Sequence, residues 1–487
     1  MPSLLGVSWV QPVWRLGSKV VEGPDEDSFT LLVEAGERLL ARAGAVAELP
    51  EPARVLVAGD PPSEPLPRLL TAWGREERPI TSFPPGELGG YQALSQALEG
   101  SEPGATLLLV AQTGTREGDP DRAGVFRSAG AVGLLFGTAP GLRPLGKTGA
   151  QRSRAGGAEA PSAIQVALDR GGAEWLRPWQ ALSLSGEEAR SGWEELHRLH
   201  ASPHPLPAPV DSPAGEEGSD SSLGPARALA LVAHQLRARG LGLWLHAREH
   251  FVALRSFVLE GPVWFDPAPV PGRDGFPIDP SQRTPPEVQW LEASVSQGAY
   301  LSRSRYEESL PTRWRLVGEH CPCGGWTLPP RGRCVHCGAS EGLQRSPLPR
   351  SGGVLEATTV IHPGAQPSEF DTVPRGSKGF AVGLVRLAPG ARVPLQITDQ
   401  SEPSPAPGRK VETVLRRLYF QEGGWRYGLK ARLLPGPPEP IAPFVPPAAV
   451  PAEGSPPAPR KGKVPSGRAR SPASPSKKGG TSKHGRK

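Results

Sequence analysis

Four residues in this chain carry a recognisable chemistry. Cys321, Cys323, Cys334 and Cys337 are its only cysteines, and all lie in the nineteen-residue stretch His320–Gly338. Two close pairs, separated by ten residues that include Pro329-Pro330, can bring four thiolates around one ion. Zn²⁺ takes a tetrahedral sulfur set of this kind. Gly324 and Gly338 follow the second cysteine of each pair, where a tight knuckle turns backbone N–H groups toward sulfur and a positive φ is cheap. A four-thiolate site leaves no position for water or substrate, so the ion it predicts is structural. The first pair is C-x-C rather than C-x2-C, so His320, three residues before Cys323, is an alternative to Cys321 as first ligand. His336, inside the second knuckle, is expected to point away. Two disulfides would need an oxidising compartment, and nothing at the start of the sequence reads as an export signal.

A second motif, His246-Ala-Arg-Glu249-His250, fits the inverted zinc-protease pattern. On a helix, His246 and His250 would share a face with Glu249 as base. The residues before it read as a strand and no third ligand is apparent, so catalytic zinc is not expected there.

The elements that must position the cysteines come from a long chain. Its 487 residues allow two to four domains, and Gly and Pro, 60 each, point to long loops. No apolar run is long enough to span a bilayer, and the expectation is a soluble, cytoplasmic protein without membrane partners. The net charge of +6 is set by the tail: ten Lys and Arg follow Glu453 with no acidic residue among them, which leaves the body at −4.

Residues 1–146 read as alternating α/β. Leu5–Val13 is a strand, and Asp25-Glu-Asp-Ser-Phe-Thr30 leads into an amphipathic helix over Leu31–Leu40 with acidic residues in its first turn. Arg54–Ala58 is a short buried strand and Leu88–Leu98 a helix. Ala105–Ala111, an unbroken apolar run, suits a sheet covered on both faces, and Ala129–Gly137 is a glycine-rich strand. Residues 147–224 read as irregular, with a disordered linker over Pro203–Ser222. Leu223–Gly240 is a helix with Ala226, Leu229, Ala230, Ala233 and Leu236 on one face, followed by strands Leu241–Leu245 and Phe251–Leu259. Glu287–Ala299 is helical. Beyond the cysteines, five β segments with Gly/Pro turns (354–362, 380–387, 393–398, 413–420 and 425–434) predict a small barrel.

The opening strand, the Asp25–Thr30 helix entry, Leu88-Gly-Gly-Tyr-Gln-Ala-Leu94, Leu107–Ala111 and Ser128–Gly137 resemble the N-terminal half of the thiolase fold, and most closely the hydroxymethylglutaryl-CoA synthase family. That family's nucleophilic cysteine opens the helix in a Cys-x-x-Gly-x-x-Ala-Leu pattern. Laid on this chain, the pattern puts Glu87 at the cysteine position, and a carboxylate cannot form the thioester intermediate. Residues 225–295 resemble a remnant of the second half.

Tyr300-Leu-Ser-Arg303, Leu316–Gly324, Leu328–Arg331, Cys334–Gly338, Gly353–Val360, Gly379–Ala388 and Trp425–Lys430 resemble the zinc-ribbon and OB-fold proteins that accompany thiolases and hydroxymethylglutaryl-CoA synthases. The resemblance spans about residues 296–435. It implies a docking helix and rubredoxin-like zinc ribbon (296–345), an all-β OB-fold barrel (346–436), a thiolase-fold enzyme as partner, and an acyl-CoA seated near the barrel. Arg375, Lys378, Arg386, Arg392, Arg416 and Lys430 are candidates for CoA phosphates by charge alone. The tail 437–487, rich in Pro, Ser, Lys and Arg, is expected to be disordered and to meet nucleic acid only weakly.

The expectation is therefore a non-catalytic, zinc-binding scaffold or accessory subunit, with no catalytic residue assigned. An acyl-CoA condensing enzyme with a non-standard nucleophile and a nucleic-acid-binding ribbon and barrel are the alternatives.

Overall fold

Alternation along a set of apolar strands accounts for most of the architecture. The computed structural model describes residues 2–16, 19–23, 25–43, 49–100, 103–114, 129–151, 179–185, 189–199, 206–207, 209, 223–236, 240–248, 251–266, 276–277, 302–350, 352–362, 379–388, 390–400, 404–421 and 424–440. All of them lie within one unit, Met1–Pro447. The basic tail beyond Pro440, most of the 203–222 linker and the helix expected over 287–299 lie outside the described residues.

The first strands are β1 (Ser3–Val10), β2 (Trp14–Leu16), β3 (Lys19–Val21), β4 (Pro52–Gly59), β5 (Ile80–Ser82), β6 (Ala105–Gln112) and β7 (Gly130–Gly137). They continue with β8 (Leu142–Gln151), β9 (Ala181–Ser185), β10 (Leu241–Arg248), β11 (Phe251–Leu259), β12 (Trp264–Phe265) and β13 (Phe276–Pro277). One mixed sheet runs β5-β4-β6-β7-β1-β8-β11-β10-β9, with β12 alongside β1. β2, β3 and β13 form a separate small sheet. The end of β8, β9 and a helix at Ala189–Leu199 are regular structure inside the 147–224 stretch whose sequence reads as irregular.

The helices of this part are α1 (Ser28–Ala43), α2 (Pro67–Trp73), α3 (Glu87–Glu99), α4 (Ala189–Leu199) and α5 (Gly224–Gln235). Successive strand residues point to opposite faces, and the packing divides accordingly. On β6, Leu107, Leu109 and Ala111 join a core with α1 and α2, while Leu108 and Val110 join one with α3 and α5. On β10 and β11, Trp244, Ala253 and Phe257 also face α3 and α5, whereas Leu243, Leu245, Val252 and Leu254 pack with Leu196 of α4. Helices α3 and α5 are thus covered from two sides by two arms of the sheet, with α1 and α2 outside one arm and α4 outside the other. This is a layered α/β fold, the class expected for the N-terminal half.

Asp27 starts α1 by a reciprocal cap. Its Oδ1 accepts from the Thr30 N–H and its own N–H donates to Thr30 Oγ1, both at 2.9 Å. The helix begins at Ser28, so Asp25, Glu26 and Asp27 precede it rather than lying within its first turn. Gly36 lets α2 approach, since a Cβ there would lie 2.3 Å from the Trp73 ring.

The rest of the chain begins with two short helices, α6 (Arg303–Glu308) and α7 (Leu310–Arg315). Strands β14 (Val317–His320), β15 (Trp326–Thr327) and β16 (Gln344–Pro347) form a three-stranded sheet. Then β17 (Gly353–Ile361), β18 (Phe380–Arg386), β19 (Arg392–Thr398), β20 (Lys410–Gln421) and β21 (Gly424–Leu433) close into a barrel in the order β17-β18-β19-β21-β20. All five strands fall within a few residues of the positions expected from sequence.

The barrel and the large sheet share one core. Leu355, Val385, Ile397, Val411, Leu415, Tyr427 and Leu429 of the barrel belong to the same buried cluster as Phe29, Leu32 and Leu39 of α1 and Leu107 of β6. Every residue from Ser28 to Gly36 is buried, because α1 lies between the sheet and the barrel.

Candidate metal centre and buried charge junction

The β14–β15 turn and the loop before β16 bring the four cysteines together. Cys321 follows β14 directly, and Gly324 N–H donates to Cys321 O (2.8 Å) to close the first knuckle. The second repeats the device with Gly338 N–H to Cys334 O (3.0 Å). Gly324 and Gly338 have φ of 83° and 74°, the left-handed region in which glycine costs least. His336 N–H donates to Cys334 Sγ at 3.4 Å.

The four Sγ atoms lie within 4.8 Å of one another. Cys321 and Cys337 are 3.6 Å apart and Cys323 and Cys334 are 3.7 Å apart. Sulfurs about 2.3 Å from a central zinc in a tetrahedron stand about 3.8 Å from each other, whereas a disulfide needs about 2.05 Å. The donor set therefore fits a divalent metal such as zinc. Cys321 and Cys334 are buried and Cys337 faces outward. His320 is not part of the group; its ring packs on Trp326 at 5.1 Å.

Glu319, just before the first knuckle, supports the cluster from behind. It accepts from the N–H groups of Arg331 and Gly332, both at 2.8 Å. Burial pushes this carboxyl up, and those N–H donors with Arg345 pull it below the usual value.

Glu87 is the first residue of α3, following Gly86 at φ 94°, as the alignment on the synthase pattern expects. His246 lies on strand β10, buried, with its ring stacked on Tyr91 at 4.8 Å. Glu249 and His250 are outside the described residues. His246 thus lies on a strand and not on the helix that the protease-like pattern requires.

A second cluster sits where α1 meets the barrel. Arg416 is completely buried. Its Nη2 lies 2.9 Å from both Glu26 Oε1 and Asp399 Oδ2, and its Nη1 lies 3.2 Å from Glu34 Oε2. Arg432 Nη2 reaches Glu34 Oε1 at 2.6 Å, and Lys430 Nζ reaches Asp25 Oδ2 at 2.7 Å. Tyr427 Oη and Ser63 Oγ both donate to Asp27 Oδ2 at 2.6 Å. Arg350 pairs with Glu37 and donates to Trp314 O. Below this polar layer, Phe29 meets Tyr427 edge-on at 5.1 Å and Trp314 at 5.7 Å. Trp314 Nε1 donates to Tyr427 O at 3.0 Å.

The junction sets its own charge states. Burial pushes Glu26 up to about 8, Arg416 pulls against that, and Asp399 and Asp25 reinforce it. Burial also raises Glu34, but Arg432, Arg38 and Arg416 together hold it well below the usual carboxylate range. Burial opposes the Arg416 charge, and Asp399, Glu26, Glu34 and Asp25 more than restore it.

This placement corrects two of the CoA candidates. Arg416 and Lys430 are buried and committed to carboxylates of the N-terminal part, so they are not phosphate ligands. Arg386 and Arg392 both pair with Glu356, at 2.9 and 2.6 Å. Arg375 and Lys378 lie outside the described residues. The junction itself was not anticipated from sequence. Its signal is faint: Arg416 on β20 and Lys430 and Arg432 on β21 fall at like-facing, cross-strand positions, where an isolated barrel would show solvent-facing charge.

No family model matches the chain. A DUF35 domain-containing scaffold protein of Pyrococcus furiosus is 31% identical over 137 residues, 28% of this chain and 95% of that protein. A protein of the same description from Methanothermobacter thermautotrophicus is 30% identical over 125 residues, 25% of this chain and 88% of its own length. Among solved structures, PksG, an HMG-CoA synthase from Bacillus subtilis, is similar at 14% identity over 53% of this chain and 79% of its own, with a TM-score of 0.36. 3-Oxoacyl-(acyl carrier protein) synthase III from Pseudomonas aeruginosa is similar at 15% identity over 54% of this chain and 99% of its own, with a TM-score of 0.40. With nearly the full length of two curated relatives accounted for, the chain belongs to the DUF35 domain-containing scaffold proteins.

Proposed function

We propose that this protein is a zinc-stabilised, non-catalytic scaffold that handles acyl-CoA beside a thiolase-type or hydroxymethylglutaryl-CoA synthase-type enzyme. The observation that carries the reading is the pairing, in one chain, of a scaffold-family segment with a layered α/β half that has no cysteine before Cys321. Thiolase-type condensation passes through a thioester on a cysteine, and the carboxylate of Glu87 cannot replace it. Cys321, Cys323, Cys334 and Cys337 would hold Zn²⁺ as a closed, structural site. The barrel order, first-second-third-fifth-fourth strand, supports the OB-fold reading. An acyl-CoA beside it would meet Arg386 and Arg392 only by drawing them from Glu356, which leaves Arg375 and Lys378 as the cations to test first.

Affinity purification of the tagged chain from its native host tests the reading. A near-stoichiometric thiolase-fold enzyme among the recovered proteins supports it. Recovery with nucleic acid and ribosomal proteins, or a covalent acyl adduct on the chain after acetyl-CoA treatment, overturns it.

A further inference from the structure

The scaffold-related part of the chain offers one face that is rich in both aromatic anchors and charge, and that face is already covered. Tyr306 and Trp314, on α6 and α7, are 5% and 0% exposed, and Tyr427 on β21 is 0% exposed. Phe29, at the start of α1, covers Trp314 and Tyr427, and Tyr306 packs against Trp314. Around this apolar centre, Asp25, Glu26, Asp27, Glu34 and Glu37 meet Lys430, Arg416, Arg417, Arg432 and Arg350. Five acidic side chains from one thirteen-residue stretch thus meet five basic ones from the far end of the chain. Backbone groups join in: Arg417 N–H donates to Asp25 O at 2.9 Å and Arg417 Nη2 to Glu26 O at 2.6 Å. Aromatic anchors in a desolvated centre, ringed by complementary charge, are the anatomy of a specific protein–protein interface.

The curated relatives are matched over 95% and 88% of their length by only about a quarter of this chain. The remaining three quarters of the chain lies outside those matches. We infer that this chain supplies in cis the partner surface for its own scaffold part: residues 25–37 fill the face formed by α6, α7, β20 and β21. The synthase-like half is thereby the resident partner, and an external enzyme must engage another face. The inference rests on the scaffold reading above but fails separately from it.

The test uses the full chain with a specific protease site inserted between Pro286 and Glu287, cleaved after purification. Size-exclusion chromatography at 1 μM protein and physiological salt (about 0.15 M) reads the outcome. We expect the two fragments to co-elute at 1:1. In Phe29→Ala/Lys430→Glu they should separate, with affinity reduced at least about a hundredfold. Lys430→Glu alone should also separate them, and adding Asp25→Lys to it should restore co-elution by re-forming the pair with reversed charge, which distinguishes loss of docking from loss of folding. Metal content of the uncleaved variants provides a second folding control. Separation of the cleaved wild-type fragments overturns the inference, as does co-elution that survives Phe29→Ala/Lys430→Glu. Neither result alters which proteins the intact chain recovers from its host, so the scaffold reading stands or falls on its own experiment.

Discussion

Arg416→Met puts the junction under the most direct strain. Met keeps much of the side-chain length but removes the guanidinium, and with it three carboxylate contacts of 2.9, 2.9 and 3.2 Å at a fully buried site. The three acids do not lose equally. Glu34 keeps Arg432 and Arg38, both at 2.6 Å. Glu26 keeps the Gly23 N–H at 2.7 Å, and burial already drives it toward the neutral acid. Among the described residues, Asp399 retains only the more distant Arg432, at 3.6 Å, as an ion-pair partner. The penalty therefore falls mainly on Asp399. Breaking a buried pair by removing one member costs about 3–5 kcal/mol, and that is the expected loss here. Removing the stranded charge should return part of it, so Arg416→Met/Asp399→Asn should be at least about 1 kcal/mol more stable than Arg416→Met alone. Urea unfolding followed by tryptophan fluorescence measures both, with Trp314 buried at the junction as a reporter. A loss below about 1 kcal/mol for Arg416→Met, or a further loss on adding Asp399→Asn, would refute the claim that Arg416 is held by unscreened carboxylates.

Other substitutions probe separate parts of the argument. Glu26 has a raised folded-state pKa, so its contribution is fully present below its ordinary value of 4.5 and is lost as pH rises through about 8; Glu26→Gln should flatten the decline of stability across that window, measured as urea midpoint against pH. Tyr427→Phe removes a 2.6 Å hydrogen bond to the Asp27 carboxylate and should cost about 1.5–3 kcal/mol, read by the same titration. Cys334→Ser should abolish the metal stoichiometry found by elemental analysis and raise amide exchange through residues 320–345, because metal binding supplies the folding energy of so small a unit; an unchanged exchange pattern would contradict it. Gly36→Ala places a methyl group into the Trp73 ring and should lower stability by about 1–3 kcal/mol, seen as a reduced Tm.

What the sequence decided on its own was local. The cysteine spacing with a glycine after each pair set two knuckles, because a chelate of this kind needs only near neighbours and a permissive φ. The unbroken apolar run of β6 announced a strand buried on both faces, and the barrel strands showed themselves by alternation between turn residues. Glu87 could be placed at the head of its helix from a pattern of eight residues. The tertiary structure decided which surfaces were inside. The polar flank of α1 reads as solvent-facing by periodicity, yet Glu34 is 5% exposed because the barrel lies against it. Likewise, Arg416 and Lys430 read as free cations for a phosphate, and became partners of carboxylates 382 and 405 residues away. No short-range signal encodes such pairs. A charge on a strand looks the same whether it meets water, a ligand or a distant acid, and only the packing of the barrel on α1 selects among them.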